Sequence, residues 1–240
     1  MKYRDNKVTD IQIAYIGGGS RGWAWTFMTD LALEEQISGT IRLYDIDETA
    51  AGNNEVIGNR LMQREDARGD WRFETRTSLQ DALTGCDFVV ISILPGTFDE
   101  MESDVHLPER LGIYQPVGDT AGPGGMIRAL RTIPMFVEIA EAVKAYAPGA
   151  WVINYTNPMS LCVKTLYLCG PVQAVVETNA VFERDAIRPI LAGDLPECVK
   201  ELIMPAVENH EAILEAALTC NEGLVVKAFM NAPQVKGRKR

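Results

Sequence analysis

The chain is poor in the residues from which metal and acid–base centres are commonly built. It has two histidines, His106 and His210. They lie far apart with no metal-ligand spacing around either, so each reads as a satisfied or solvated imidazole rather than a ligand. Its five cysteines, Cys86, Cys162, Cys169, Cys198 and Cys220, are odd in number and form no C-x-x-C pair. That argues against a zinc knuckle and a disulfide framework, and reduced thiols in a cytoplasm are the expectation. No P-loop pattern occurs, so P-loop chemistry lacks its local signature. Long apolar runs are missing too. The longest, Phe88 to Pro95, is far shorter than the ~20 residues of a membrane span, and the opening MKYRDNKVTD carries charge without the apolar core of a secretory leader. Positive charge is scarce: 23 Lys and Arg against 33 Asp and Glu give a net −10. Such a surface repels polyphosphate backbones and anionic headgroups, so neither nucleic acid nor membrane is an expected partner. The basic run Lys236 to Arg240 reads as a solvated tail.

What is present is a regular alternation. IQIAYI (Ile11 to Ile16) is rich in β-formers and ends at glycines, Trp23 to Leu33 reads as helix, and TIRLY (Thr40 to Tyr44) is a second strand closing on Asp45. A polar helix runs through Arg64, WRFETR is a third strand, and Ser78 caps a short helix to Leu83. FVVISIL (Phe88 to Leu94) is apolar throughout, as a parallel strand covered on both faces requires. A long loop rich in Gly and Pro is expected up to Gly125, then a helix from Met126 to Tyr146, the strand WVINY, and a helix from Pro158. Strand–helix alternation at this spacing predicts an α/β fold with a doubly wound parallel sheet, Rossmann-like. Beyond Leu168 the texture changes to one extended segment and a mainly helical stretch from Pro196 to Leu218. The expected division is a first domain over 1–169 and a shortened, mainly helical part over 170–240.

Gly17, Gly19 and Gly22 in YIGGGSRGW match G-x-G-x-x-G, led in by a strand and out by a helix. Missing Cβ atoms permit a tight turn and close approach to a pyrophosphate, and a helix N-terminus offers free N–H groups to that anion. Gly18, Ser20 and Arg21 complete the loop, although Arg21 reads equally as a surface charge. Asp45, at the end of the next strand, stands where an acid would accept the adenosine ribose hydroxyls and repel a 2′-phosphate, which favours NAD over NADP.

Ligands of a doubly wound sheet bind beyond the C-terminal ends of its strands. Three stretches lie there: ILPGTFDE, GDTAGPGG and NYTNP. Asn154 and Asn157 carry amides suited to sugar hydroxyls or a nicotinamide carboxamide, or else serve as turn and capping residues ahead of a proline. Asp119 is a substrate contact or the cap of the long helix.

Taken together, IAYIGGGSRGWAW, LYDID, FVVISILPGTFDEMESDVHLPE, GIYQPVGDTAGPGGMIRALRTIP and WVINYTNPMSLC closely resemble glycoside hydrolase family 4, the NAD- and manganese-dependent glycosidases. The likeness runs from about Ile11 to Tyr167 and resumes at QAVVETNAVF. It implies that NAD takes a hydride from C3 of the sugar, a base removes the C2 proton, a divalent metal stabilises the enediolate, the aglycone is eliminated, and water and the hydride return. The cofactor would then be recycled, outside the two-carboxylate scheme of most glycosidases. Carried over by position, Gly17, Gly19, Ser20 and Asp45 would contact NAD, and Asn157 would bind the sugar with Asn154 and Asp119 close by. The arginine that 6-phosphosugar branches carry after the fourth strand has no counterpart in Gly96 to Asp104. That favours an unphosphorylated hexoside: an α-galactoside, α-glucoside or galacturonide.

The family's metal-binding Cys and His and its tyrosine base have no counterpart here. TLYLCG passes directly into PVQAVVETN, which reads as a seam near Leu168 to Pro171 with an internal segment missing. Mn2+ is therefore expected of the intact family, and no metal ligand is assigned in this chain. Two other classes stay open: an NAD-binding remnant without catalysis, and a lactate/malate-type dehydrogenase. The long helix from Met126 and the C-terminal helix offer faces for a possible homo-oligomer.

Overall fold

The computed structural model describes residues 1–170, 173–174, 179–183, 186–191 and 193–236. Pro171 of the expected seam, residues 175–178 of the second resemblance segment and residues 237–240 of the basic tail lie outside the described residues. The elements, in chain order, are β1 (Lys2–Arg4), β2 (Lys7–Ile16), α1 (Trp23–Leu33), β3 (Ile37–Tyr44), α2 (Glu48–Leu61), β4 (Asp70–Arg76), α3 (Leu79–Leu83) and β5 (Phe88–Ile91). There follow α4 (Phe98–His106), α5 (Pro123–Tyr146), β6 (Trp151–Asn154), α6 (Met159–Cys169), β7 (Gln173–Ala174), β8 (Ala180–Phe182), β9 (Ile187–Pro189), α7 (Glu197–Thr219), α8 (Glu222–Asn231) and α9 (Pro233–Lys236).

Two compact units interleave along the chain: 1–94 with 139–156 and 169–174, and 95–138 with 157–168 and 175–240. The first unit holds the sheet, in the order β4-β3-β2-β5-β6-β7. All five pairings along this path are parallel. Counted from β2, that order is third, second, first, fourth, fifth, sixth, the doubly wound Rossmann order. Its direction reverses between β2 and β5, at the end of β2. β1 pairs antiparallel with Lys7 to Thr9 of β2, on the flank that β5 takes up only from Ile13 onward.

Side chains alternate across the pleat. Ile11, Ile13 and Tyr15 pack with Ile41, Leu43, Trp71 and Phe73 against Ala24, Met28 and Leu31 of α1 and Ala51 of α2, while Ala14 and Ile16, also buried, point to the other face. β4 is an edge strand of this sheet, and α2 covers its polar rim. Asn59 accepts from the Phe73 N–H at 3.0 Å and donates to its carbonyl at 2.9 Å, and Glu55 accepts from the Thr75 N–H at 2.8 Å. Gly58 of α2 lies against the Phe73 ring, where an added Cβ would sit 2.6 Å from ring carbons.

The second unit is mainly helical and includes the β8-β9 hairpin. Met126, Ala129 and Ile133 of α5, Leu161 of α6, Ile213 and Leu214 of α7 and Ala228 of α8 form its core, with Ala232 just before α9. Cys220 ends α7 in the left-handed region at φ 55°, and Asn221 caps α8 by accepting from the Gly223 N–H at 3.0 Å. α8 is a helix that the sequence pattern did not reveal.

The stretch expected as a long loop before Gly125 contains α4 and a 3-10 helix, Leu107–Leu111. Thr97 accepts from the Asp99 N–H, and the Glu100 carboxylate reaches back to the Thr97 N–H at 2.6 Å, a capping box that starts α4. His106 therefore ends a helix rather than sitting in a loop. FVVISIL is strand only as far as Ile91, because the chain leaves the sheet there.

Replacing Gly58 with Ala is expected to destabilise the fold by about 1–3 kcal/mol through overpacking of Phe73, read as a lower urea midpoint at unchanged slope. Burial pushes the Tyr15 phenol up to about 12. The unfolded phenol titrates near 10, so the native state holds the proton more tightly. That contribution is whole below pH 10 and lost as pH rises through about 12. Stability is expected to fall over this window, less steeply in Tyr15→Phe, followed by phenolate absorbance and far-ultraviolet circular dichroism.

Candidate nucleotide site

The glycine loop sits at the switch point of the sheet, and sterics dictate its composition. Gly17 has φ +94°, and a Cβ there would lie 2.0 Å from the Ser92 carbonyl oxygen. A Cβ on Gly18 would meet Leu43 at 2.8 Å, and one on Gly19 would meet Ala50 at 2.7 Å and Asp45 Oδ2 at 2.9 Å. Gly22, the third glycine of the pattern, has open space within 4 Å of that position. The demand for glycine thus falls on three consecutive residues, with Gly18 constrained and Gly22 free.

The loop's N–H groups are arranged in sequence. Those of Gly17 and Gly18 both donate to the Tyr44 carbonyl at 2.9 Å, that of Gly19 to Asp45 Oδ2 at 2.8 Å, and that of Ser20 to the Gly17 carbonyl at 3.0 Å. Arg21 and Gly22 follow, both exposed. α1 begins with no side-chain cap and no acidic residue in its first turn, so its first N–H groups and positive dipole end carry no competing carboxylate. This is the donor set of an anion site.

Asp45 is brought against the loop as its position in sequence predicts. It braces it as well: Oδ2 accepts from Gly19 and Oδ1 from the Asp47 N–H at 3.0 Å. Each carboxylate oxygen can accept more than one bond, so capacity remains for ribose hydroxyls. Trp23, at the head of α1, stacks on Tyr155, just past β6, with ring centroids 5.3 Å apart and planes 19° apart, and both rings are largely exposed.

The remaining expected residues fall elsewhere. Asn154 ends β6 in the first unit, and its amide closes a turn on Thr156, accepting from the N–H at 3.0 Å and donating to the carbonyl at 2.9 Å. Asn157, half-buried, and Asp119 belong to the second unit. The Asp119 carboxylate is paired with the guanidinium of Arg128, itself 7% exposed, a partner the sequence reading did not supply. Arg131 and Asp104 form a second partly buried pair on the same unit. His106 faces Glu109 at 3.1 Å and the His210 ring contacts the Thr120 carbonyl at 2.6 Å. Among the described residues no three His, Cys, Asp or Glu side chains converge as a metal site. No helix among them is long and apolar enough to cross a membrane.

Sequence and structure comparisons place this arrangement. Residues 12–182 match the Family 4 glycosyl hydrolase. An alpha-galacturonidase of Lachnoclostridium phytofermentans is 72% identical over 171 residues, 71% of this chain and 37% of that protein. The lplD structure from Bacillus subtilis superposes with a TM-score of 0.88 at 28% identity, over 95% of this chain and 97% of that one. A 6-phospho-alpha-glucosidase from gut microorganisms, solved in complex with NAD and Mn2+, gives a TM-score of 0.59 at 25% identity over 68% of this chain and 36% of that one. The chain spans 37% to 49% of the length of the alpha-galacturonidases it matches. With the family match covering the glycine loop, Asp45, the C-terminal part of β2 and the parallel strands from β3 to β7, this chain belongs to the family 4 glycosyl hydrolases.

Proposed function

We propose that this chain binds NAD across the switch point of its sheet and is the nucleotide-binding part of a glycosidase acting on unphosphorylated hexosides, galacturonides first among them. The observation that carries the reading is the pairing of an uncapped α1 N-terminus with Asp45, whose carboxylate is fixed by the loop it faces. The cradle fits the cofactor: Gly17, Gly18 and Gly19 each stand where a Cβ would strike backbone or side chain within 3 Å. The names of its relatives support the galacturonide, and the NAD in a structural neighbour supports the dinucleotide.

In this reading the N–H groups of Arg21, Gly22 and the first turn of α1 bind the pyrophosphate, and Asp45 accepts the ribose hydroxyls and repels a 2′-phosphate. Bound NAD supplies a hydride acceptor for sugar oxidation. Asn157 and Asp119 remain the proposed sugar contacts. For Asp119 that contact runs through an oxygen not engaged by Arg128. Manganese finds no matching donor set among the described residues, so the role proposed for this chain is cofactor binding in a cytoplasmic setting, without turnover by the chain alone.

Titration calorimetry is expected to give saturable heat with NAD and markedly weaker binding of NADP. Asp45→Ala is expected to weaken NAD by about 10- to 100-fold, the worth of hydrogen bonds to a charged group; unchanged affinity would remove the ribose assignment. Nitrophenyl α-galacturonide, α-galactoside and α-glucoside, each with NAD, Mn2+ and a reductant, are expected to give no nitrophenol. Metal-dependent release would overturn the absence of turnover, and NADH formed from a hydroxy acid would favour a dehydrogenase instead.

A further inference from the structure

Asn54 is buried, 2% exposed, in the middle of α2, a place where asparagine is a mediocre helix former and where its amide must find partners. It finds three. Nδ2 donates to the carbonyls of Gly18 at 2.7 Å and Ser20 at 2.9 Å, and Oδ1 accepts from the Trp25 indole N–H at 2.7 Å. An indole N–H can only donate and a carbonyl can only accept, so one orientation of the amide alone satisfies all three. Trp25 therefore sets which way the amide faces, and the amide sets the loop.

Carbonyl and N–H of one trans peptide unit point in opposite directions. Holding the Gly18 carbonyl toward α2 turns the Gly19 N–H away from it, and that group meets Asp45 Oδ2. Holding the Ser20 carbonyl toward α2 likewise turns the Arg21 N–H away. Among the described residues that N–H meets no protein acceptor. It is the first group in the loop with a bond still to give, and it lies two residues before α1.

We propose that Asn54 is a positioning residue for the pyrophosphate: by gripping two loop carbonyls it aims the Arg21 N–H, together with the head of α1, at the anion, and Trp25 keeps its amide in the one productive orientation. This rests on the NAD reading above and extends it to residues that never touch the cofactor.

The test compares wild type, Asn54→Asp, Asn54→Ala and Trp25→Phe. Each is titrated with NAD, ADP-ribose and adenosine, alongside thermal unfolding. Asn54→Asp keeps the shape and the acceptor for Trp25 but loses both donors. It and Asn54→Ala are expected to weaken NAD and ADP-ribose at least 10-fold by a common factor, with adenosine within twofold of wild type. Trp25→Phe, which leaves both loop bonds in place, is expected to cost less than either. If neither Asn54 variant folds, Asn54→Ser, with one hydroxyl donor and no charge, carries the same selective expectation at about threefold. Asn54 variants that bind NAD within twofold of wild type, or that lose adenosine in step with NAD, would overturn the proposal. A wild-type protein giving no heat with NAD overturns the nucleotide reading itself, an outcome separate from the first.

Discussion

The close approach of Gly17 and Gly18 to their neighbours governs this structure. At the end of β2 the backbone must turn between the Ser92 carbonyl on one side and Leu43 on the other, in space that excludes any Cβ. The turn releases the chain into α1 with its N-terminus uncapped. Because the same turn brings Gly19 to Asp45, one steric constraint shapes both the candidate anion site and the orientation of the acid beside it. A side chain at Gly17 or Gly18 would push apart β2 and its neighbours, so fold and site depend on the same few cubic ångströms.

Much of this could be read from the chain because its causes are local. The apolar alternation of Ile11 to Ile16, the glycines that follow and the acid closing LYDID are each set by residues within a few positions, and strand, turn and acid lie where those patterns put them. The family resemblance matched the same segments. The α/β class followed from strand–helix spacing, with the strand order observed in the sheet as its geometric outcome.

What was missed depends on distant partners or on signals hidden by composition. α4 begins at T-F-D-E, a capping box plainly present in the sequence, yet the surrounding Gly and Pro suggested a loop. Nothing local marks Asn54, because its acceptors lie 34 and 36 residues earlier. The motif pattern singles out Gly22, whereas packing places the demand on Gly18, since only the folded sheet brings Leu43 there. Asn154 closes its own turn, as its place before a T-N-P element allows. Asp119 is held by an arginine on the helix it precedes, a pairing that spacing alone did not distinguish from a cap.

The rim of β4 has a further consequence. An uncovered outer strand is a template on which another chain can add, one backbone hydrogen bond at a time. Here Asn59 occupies both backbone groups of Phe73 and Glu55 occupies the amide of Thr75, so extension of the sheet into a second molecule is blocked at those rungs. Self-association across this edge would have to proceed through side-chain surfaces rather than by lengthening the sheet, which separates such a contact from the route that leads to fibrils.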